Sequence, residues 1–322
     1  MACLFCRLIR AAPTLAFAMD TFNISILAIG AFSMLTNGVL LVILYLDPLK
    51  KFRTTTNYLI ISLTFSDFVT GGVSCAFAFT YSPVTFGMFW TTILSSFFTI
   101  FFISCERLVV VMYPLKAKSL ITKRRVFTFI AADWLASAVL GSLVGILLPP
   151  VREHYLFVVV FILLALIIVL VGIYIAIILK MRRKPKLIRK SMRPDSLRNK
   201  MLHEKRLVGV LMLLVAILLI TVVPYLATGL VMNGYRILGR TPIPESLAGF
   251  TKYYLLVELL NFAVNPIIYA WRLPSYRKSV VYYFGKLPFV KRTFNVEQGN
   301  VVELPTRISC QNDENTLQLL NT

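Results

Sequence analysis

Apolar residues run through this chain in seven long stretches, separated by short segments where proline, glycine and basic residues collect. The stretches fall at roughly 24–46, 54–80, 88–112, 126–148, 155–181, 206–233 and 248–271. Each is close to or longer than the ~20 residues a helix needs to cross the hydrocarbon core of a bilayer. The pattern predicts an all-α membrane protein, a seven-transmembrane helix bundle. After Pro274, the segment Ser275 to Phe284 sets Tyr276, Val280, Val281, Tyr283 and Phe284 against Arg277 and Lys278. That spacing predicts a short amphipathic eighth helix lying on the membrane surface. The expected layout is an extracellular N-terminus over 1–23, the seven-transmembrane domain over 24–271, helix 8 over 272–286 and a disordered cytoplasmic tail over 287–322. The predicted outer connections are short: Tyr81 to Met88, Pro149 to His154 and Asn233 to Ser246. None could hold a separate ligand-binding domain, so a ligand must be small or bind between helices. There is no internal repeat.

Composition adds orientation. Hydrophobic residues make up 58% and charged residues 15% of 322, against about 25% charged in a soluble protein. The net charge of +20 is unevenly distributed. With the N-terminus outside, the inner loops carry three, five and twelve Lys and Arg and the tail seven; the outer segments carry six. The positive-inside rule then places the N-terminus outside and the C-terminus inside, in the plasma membrane. The inner charges suit solvent and anionic membrane lipids rather than nucleic acid. Met19 begins a plausible alternative start beside Met1, and Asn23-Ile24-Ser25 is a glycosylation sequon abutting span 1. No His/Cys metal spacing, Gly-rich phosphate loop or nucleophile elbow occurs, so neither enzymatic activity nor a cofactor is expected.

Polar side chains at membrane depth are costly and face the bundle interior. Here they recur about once per span at similar depth: Asn37, Asp67, Ser95 with Ser96, and Asn261 with Asn265. Asp67 among Asn and Ser oxygens is either a structural network or a site for a hard cation such as sodium. Glu258 is a second carboxylate nearer the outside, read as a ligand contact or as an acid bonded to a neighbouring Tyr. Glu106-Arg107 closes span 3 and Glu204 opens span 6; they form either snorkelling pairs or a latch tying the two spans together. Pro224 in span 6 and Asn265-Pro266-Ile-Ile-Tyr269 in span 7 put helix breakers inside apolar runs. Such kinks persist in a membrane only where neighbouring helices or water satisfy the freed backbone groups. Trp134 reads as a packing residue.

One such marker per span resembles the rhodopsin-like (class A) G-protein-coupled receptors over about residues 24–285. The markers are Asn37, Leu63 to Asp67, Glu106-Arg107-Leu108, Trp134, Tyr174, Pro224 and Asn265 to Tyr269. The resemblance implies that Arg107 contacts a heterotrimeric G protein, restrained by Glu106 and Glu204 in the resting state. It implies a sodium pocket from Asp67, Ser96, Asn261 and Asn265, and an activation switch in which Tyr174, Pro224, Asn265, Pro266 and Tyr269 rearrange. Arrestin and a receptor kinase become partners, with tail hydroxyls at Thr306, Ser309 and Thr316 as candidate modification sites. The sequence departs from the pattern at Leu108 (usually Tyr), Val222 (Trp), Leu166 (the span 5 proline) and the outer disulfide. The missing disulfide and span 5 proline, with the short second outer loop, are similar to the melanocortin, lysophospholipid, cannabinoid and adenosine group. Leu259 stands where an opsin carries its retinal lysine, so light sensing is not expected. The function implied is a receptor for an extracellular small ligand (peptide, lipid or nucleoside-like) that works by outward movement of span 6. The alternatives are a cation transporter or channel along Asp67, or a degenerate receptor that no longer signals.

Overall fold

The computed structural model describes residues 20–47, 52–80, 82–183, 195–240, 242–272 and 274–284; of 195–207 it describes the backbone alone. Nine helices are present among these: α1 (Thr21–Leu46), α2 (Thr55–Phe79), α3 (Pro83–Met112), α4 (Pro114–Leu120), α5 (Lys123–Ile146), α6 (Pro149–Arg183), α7 (Asp195–Ile237), α8 (Glu245–Arg272) and α9 (Pro274–Phe284). All but α4 and α9 hold a stretch long and apolar enough to cross a membrane, and α9 is the predicted short eighth helix. The seven spans belong to the first of two compact units, Met1–Val280. Of the second, Val281–Thr322, the described residues are 281–284. Of the third inner loop, expected over Lys180 to Arg206, residues 184–194 lie outside the described residues, as do the tail hydroxyls Thr306, Ser309 and Thr316 and both candidate starts.

Local chemistry sets where the helices begin. Thr54 and Thr122 accept the backbone N–H of Asn57 and Arg125, and Ser82 with Thr85 forms a reciprocal capping box, which satisfies donors a helix start leaves unpaired. Prolines begin α3, α4, α6 and α9, where the missing N–H costs nothing and the fixed φ suits the first turn. This corrects two predicted loops. Pro149 to His154 is the first turns of α6, so only Leu147 and Leu148 separate it from α5, and α3 starts at Pro83 within the expected Tyr81–Met88 connection. The third connection is also shorter than predicted, because α7 continues to Ile237 before Gly239 turns the chain at φ 64°.

α1 packs on α2 and α8, α3 on α2 and α5, and α7 on α6 and α8. α1 and α2 touch backbone to backbone: a Cβ on Gly30 would sit 2.8 Å from the Gly71 carbonyl oxygen, and one on Gly71 2.7 Å from that of Gly30. Small residues permit such contact where no hydrophobic force draws helices together in lipid. Large side chains such as Leu35, Val42, Leu135 and Ile168 face outward, while Asn37, Asp67, Asp133, Glu258 and Asn265 are buried. That inversion is expected when the outer solvent is hydrocarbon and the polar groups must find partners inside.

Candidate functional site

Asp67 lies at the centre of the polar interior and is fully buried. From α3, Ser96 Oγ donates to its Oδ1 at 2.7 Å, and from α8, Asn265 Nδ2 donates to its Oδ2 at 2.7 Å. Ser66 and Ser96 share a further hydrogen bond of 2.8 Å, and the Ser33 hydroxyl reaches the Asp67 carbonyl at 3.3 Å. Three spans are thus tied by one carboxylate. Beside it lies a cavity of about 20 Å³, whose polar lining is Asp67, Ser96, Glu258, Asn261 and Asn265. That volume is room for about one water or one small ion. The structure therefore brings five of the predicted polar residues to one space. Asn37 is elsewhere.

Asn37 serves the kink in α8. Pro266 has no N–H, so the Phe262 carbonyl four residues earlier loses its helical donor. Asn37 Nδ2 supplies one at 3.0 Å, and the Thr36 hydroxyl reaches the next carbonyl, of Ala263, at 3.2 Å. The same device repaired α7. Pro224 frees the Ile220 carbonyl, and the Tyr254 hydroxyl of α8 donates to it at 2.6 Å. Both kinks are therefore held by side chains of neighbouring helices. The remaining switch residues are not joined to each other by a direct hydrogen bond. Tyr174 is buried and shares a 3.0 Å hydrogen bond with Ser104, while the hydroxyl of Tyr269 has no partner among the described residues. Its ring lies 5.9 Å from that of Tyr276, whose hydroxyl donates to Asn57 at 2.9 Å.

At the far end of α3, Glu106 and Arg107 are both buried, with Arg107 Nη2 3.1 Å from Glu106 Oε1. The first turn of α2 completes this knot. Thr56 donates to the same carboxylate oxygen at 2.9 Å and Thr55 at 3.2 Å, and Arg107 also donates to Thr56. Burial and two threonine partners distinguish the pair from a snorkelling surface contact. Glu204 sits in the first turns of α7, but its side chain lies outside the described residues. Asn23, the sequon residue, is in the first turn of α1.

Sequence reading missed Asp133. It neighbours Trp134 on α5, is buried, and accepts hydrogen bonds from Ser95 (3.1 Å), Thr99 (3.0 Å) and Ser137 (3.3 Å). Ser95 and Ser96 point to different partners because successive helical residues are about 100° apart around the axis. The available signal was a carboxylate inside an apolar run with hydroxyls at four-residue spacing, Ser95 with Thr99 and Asp133 with Ser137. Trp134 packs on Phe65 and donates to the Ser62 hydroxyl at 3.1 Å.

A seven-helix bundle with a carboxylate at its centre, proline kinks in two spans and a buried arginine at one end defines a class. The chain belongs to the rhodopsin family of seven-transmembrane receptors, which it matches over residues 36–269. It is a class A receptor. It is similar to two proteins of Drosophila melanogaster. With Tachykinin-like peptides receptor 99D it shares 31% identity over 36% of this chain and 24% of that protein. With Tachykinin-like peptides receptor 86C it shares 27% identity over 33% of this chain and 23% of that protein. The chain thus spans about a quarter of the length of each relative. Neither relative's name falls in the melanocortin, lysophospholipid, cannabinoid or adenosine group. Family membership favours a receptor over the transporter or channel reading and over an enzyme.

Proposed function

We propose that this receptor couples a small extracellular ligand to a heterotrimeric G protein across the plasma membrane, with its N-terminus outside. The observation that carries the reading is the buried Glu106–Arg107–Thr56 knot. A guanidinium held by a carboxylate and a hydroxyl at the cytoplasmic end is a stored contact. Breaking that contact would free Arg107, and outward movement of α7 about Pro224 would open the bundle end beside it for the G protein, with Glu204 as a second restraint. Tyr269, whose hydroxyl has no partner among the described residues, is placed to follow, and Tyr174 would exchange its Ser104 contact as it moves. Arrestin, a receptor kinase and inner-leaflet lipid are the further partners of this reading.

The residues around Asp67 fit a sodium ion. One carboxylate, the Ser96 hydroxyl and the amide oxygens of Asn261 and Asn265 are hard oxygen donors, and no basic side chain lines the cavity. Bound there, sodium would neutralise Asp67 and favour the compact arrangement of α2, α3 and α8. The ligand enters between helices and contacts Glu258. The names of the two relatives favour a peptide among the peptide, lipid and nucleoside-like chemistries.

Ligand-free nucleotide exchange on a G protein tests the reading, in cells with matched surface levels of each variant. Glu106→Gln should raise basal exchange about fivefold or more, the lower end of typical conformational couplings. Arg107→Ala should reduce it to background. Equal exchange from wild type and both variants, well above background, would remove Arg107 from the coupling.

A further inference from the structure

Glu258 is fully buried, and neither of its carboxylate oxygens has a hydrogen-bond partner among the described residues. The other buried carboxylates are all served. Asp47 accepts the Phe52 N–H, Asp67 takes Ser96 and Asn265, Glu106 takes Arg107 and two threonines, and Asp133 takes three hydroxyls. Protonation does not solve the problem for Glu258, since it replaces a charge with an O–H donor that also lacks a partner. A buried polar group in this state costs about 1–3 kcal/mol, more if charged. The fold keeps it aimed into the cavity it shares with α3 and α7.

The chemistry of the wall decides what it is kept for. Besides its polar groups the cavity is walled by apolar side chains, among them Ile93, Phe97, Val222 and Leu226, and the Asn261 amide lies one turn along α8 from Glu258. A metal ion such as calcium wants six to eight oxygens, and Glu258 with Asn261 cannot supply them. Nor can one ion bridge both carboxylates. Glu258 and Asn265, which holds Asp67, are two turns apart, roughly 10 Å along the helix, and both side chains lean the same way, so that separation persists to their ends, against ~2.3–2.6 Å from an ion to each oxygen. An alkylammonium group has the opposite needs. Its N–H donors require one carboxylate and an amide, and its carbons require an apolar wall.

We infer that Glu258 anchors a ligand that carries a protonated aliphatic amine on an apolar body. The ammonium sits between Glu258 and Asn261, and the body lies against Phe97, Val222 and Leu226. This rests on the receptor reading and names its ligand chemistry. A cavity of about 20 Å³ admits the ammonium head alone, so the body enters as α7 eases away from α3. The amine can belong to a small molecule or to a lysine side chain of a peptide.

The test is the thermal unfolding midpoint of the detergent-purified receptor at constant ionic strength. The probes are n-butylammonium chloride, n-butanol, and a short lysine peptide with its Nε-acetylated form. Butylammonium should raise the wild-type midpoint saturably where butanol does not. Glu258→Gln should weaken its apparent affinity about tenfold or more, in line with loss of a charge-assisted hydrogen bond. Asp133→Asn, which neutralises a buried carboxylate outside the cavity, should leave the shift intact. Stabilisation by the lysine peptide but not its acetylated form, beyond that given by butylammonium, assigns a peptide; stabilisation by butylammonium alone assigns a small amine. Equal effects of butylammonium and butanol on wild type overturn the inference, as do equal butylammonium shifts in wild type and Glu258→Gln. If Glu258→Gln fails to fold, the wild-type comparison of amine with alcohol still decides. No G protein takes part, so failure here leaves the receptor reading to the exchange assay.

Discussion

Asp67, Asp133 and Glu258 show how much one carboxylate can differ from another at membrane depth. Asp67 joins α2 to α3 and α8, Asp133 joins α5 to α3, and Glu258 has no hydrogen-bond partner among the described residues. Replacing Asp133 by alanine removes three hydrogen bonds at once. Two of them, from Ser95 and Thr99, cross between helices, where such bonds in membranes average about 0.6 kcal/mol, so the loss should be about 1 kcal/mol. Ser95, Thr99 and Ser137 can each turn back to a carbonyl of their own helix, which limits the penalty to this scale. Asp133→Ala should therefore lower the thermal midpoint while Asp133→Asn, which keeps acceptor capacity, lowers it less. Equal losses for the two would mean that charge rather than acceptance matters there. Asp67 was conspicuous in the sequence because it stands amid other polar markers; Asp133 was not, because its hydroxyl partners look like ordinary helix-tolerant serines and threonines.

The element-scale lesson lies in the two proline kinks. Each proline in a helix interior removes a bond and costs about 3 kcal/mol if nothing compensates. In α8 the compensation comes from Asn37 of α1, and in α7 from Tyr254 of α8. The hinge in α7 is thus stitched to α8 one turn from Glu258. Tyr254→Phe would leave the Ile220 carbonyl, on the outer face of α7, without its donor and should cost about 1–2 kcal/mol in unfolding, since hydrocarbon offers no water to replace it. Hydrogen exchange in α7 near Ile220 should rise with it. Unchanged stability and exchange would show that another donor takes over. The kinks were legible as prolines in apolar runs, but their partners were not. Asn37 is 225 residues from the carbonyl it serves, and no local pattern encodes such a distance.

At the scale of the whole molecule, the two ends of the bundle are closed differently. One end holds the buried Arg107 knot, and the other has an exposed contact between Asp20, ahead of α1, and Lys252 of α8. Lys252 Nζ lies 3.3 Å from the Asp20 carboxylate and 4.6 Å from the centroid of the Phe22 ring. The hydrogen bond from Lys252 holds the Asp20 carboxyl below the ordinary aspartate range. A depressed carboxyl contributes its stability above the unfolded value, and loses it as pH falls through the lowered one. Both side chains are exposed, so salt and solvent screen the pair heavily. Asp20→Asn should leave the midpoint near that of wild type at neutral pH, and any small difference should vanish in acid or at high salt. A difference that grew as pH fell would reverse the sign of this account.

Hydrophobic periodicity and length alone determined the seven spans and the short eighth helix, because in lipid each span must satisfy its own backbone and therefore needs ~20 apolar residues in a row. Spacing of prolines and polar residues marked where those spans were interrupted. The tertiary structure decided the rest. It placed Pro149 in a helix start rather than a loop, since a missing N–H is harmless only there. It put Thr55 and Thr56 on the Glu106 carboxylate, and gave Ser95 to Asp133 and Ser96 to Asp67. It left Glu258 lining a cavity with no hydrogen-bond partner among the described residues. Which hydroxyl meets which carboxylate depends on how far each helix is rotated about its axis when it packs, and that angle is set by close contacts such as Gly30 on Gly71, between residues far apart in the chain.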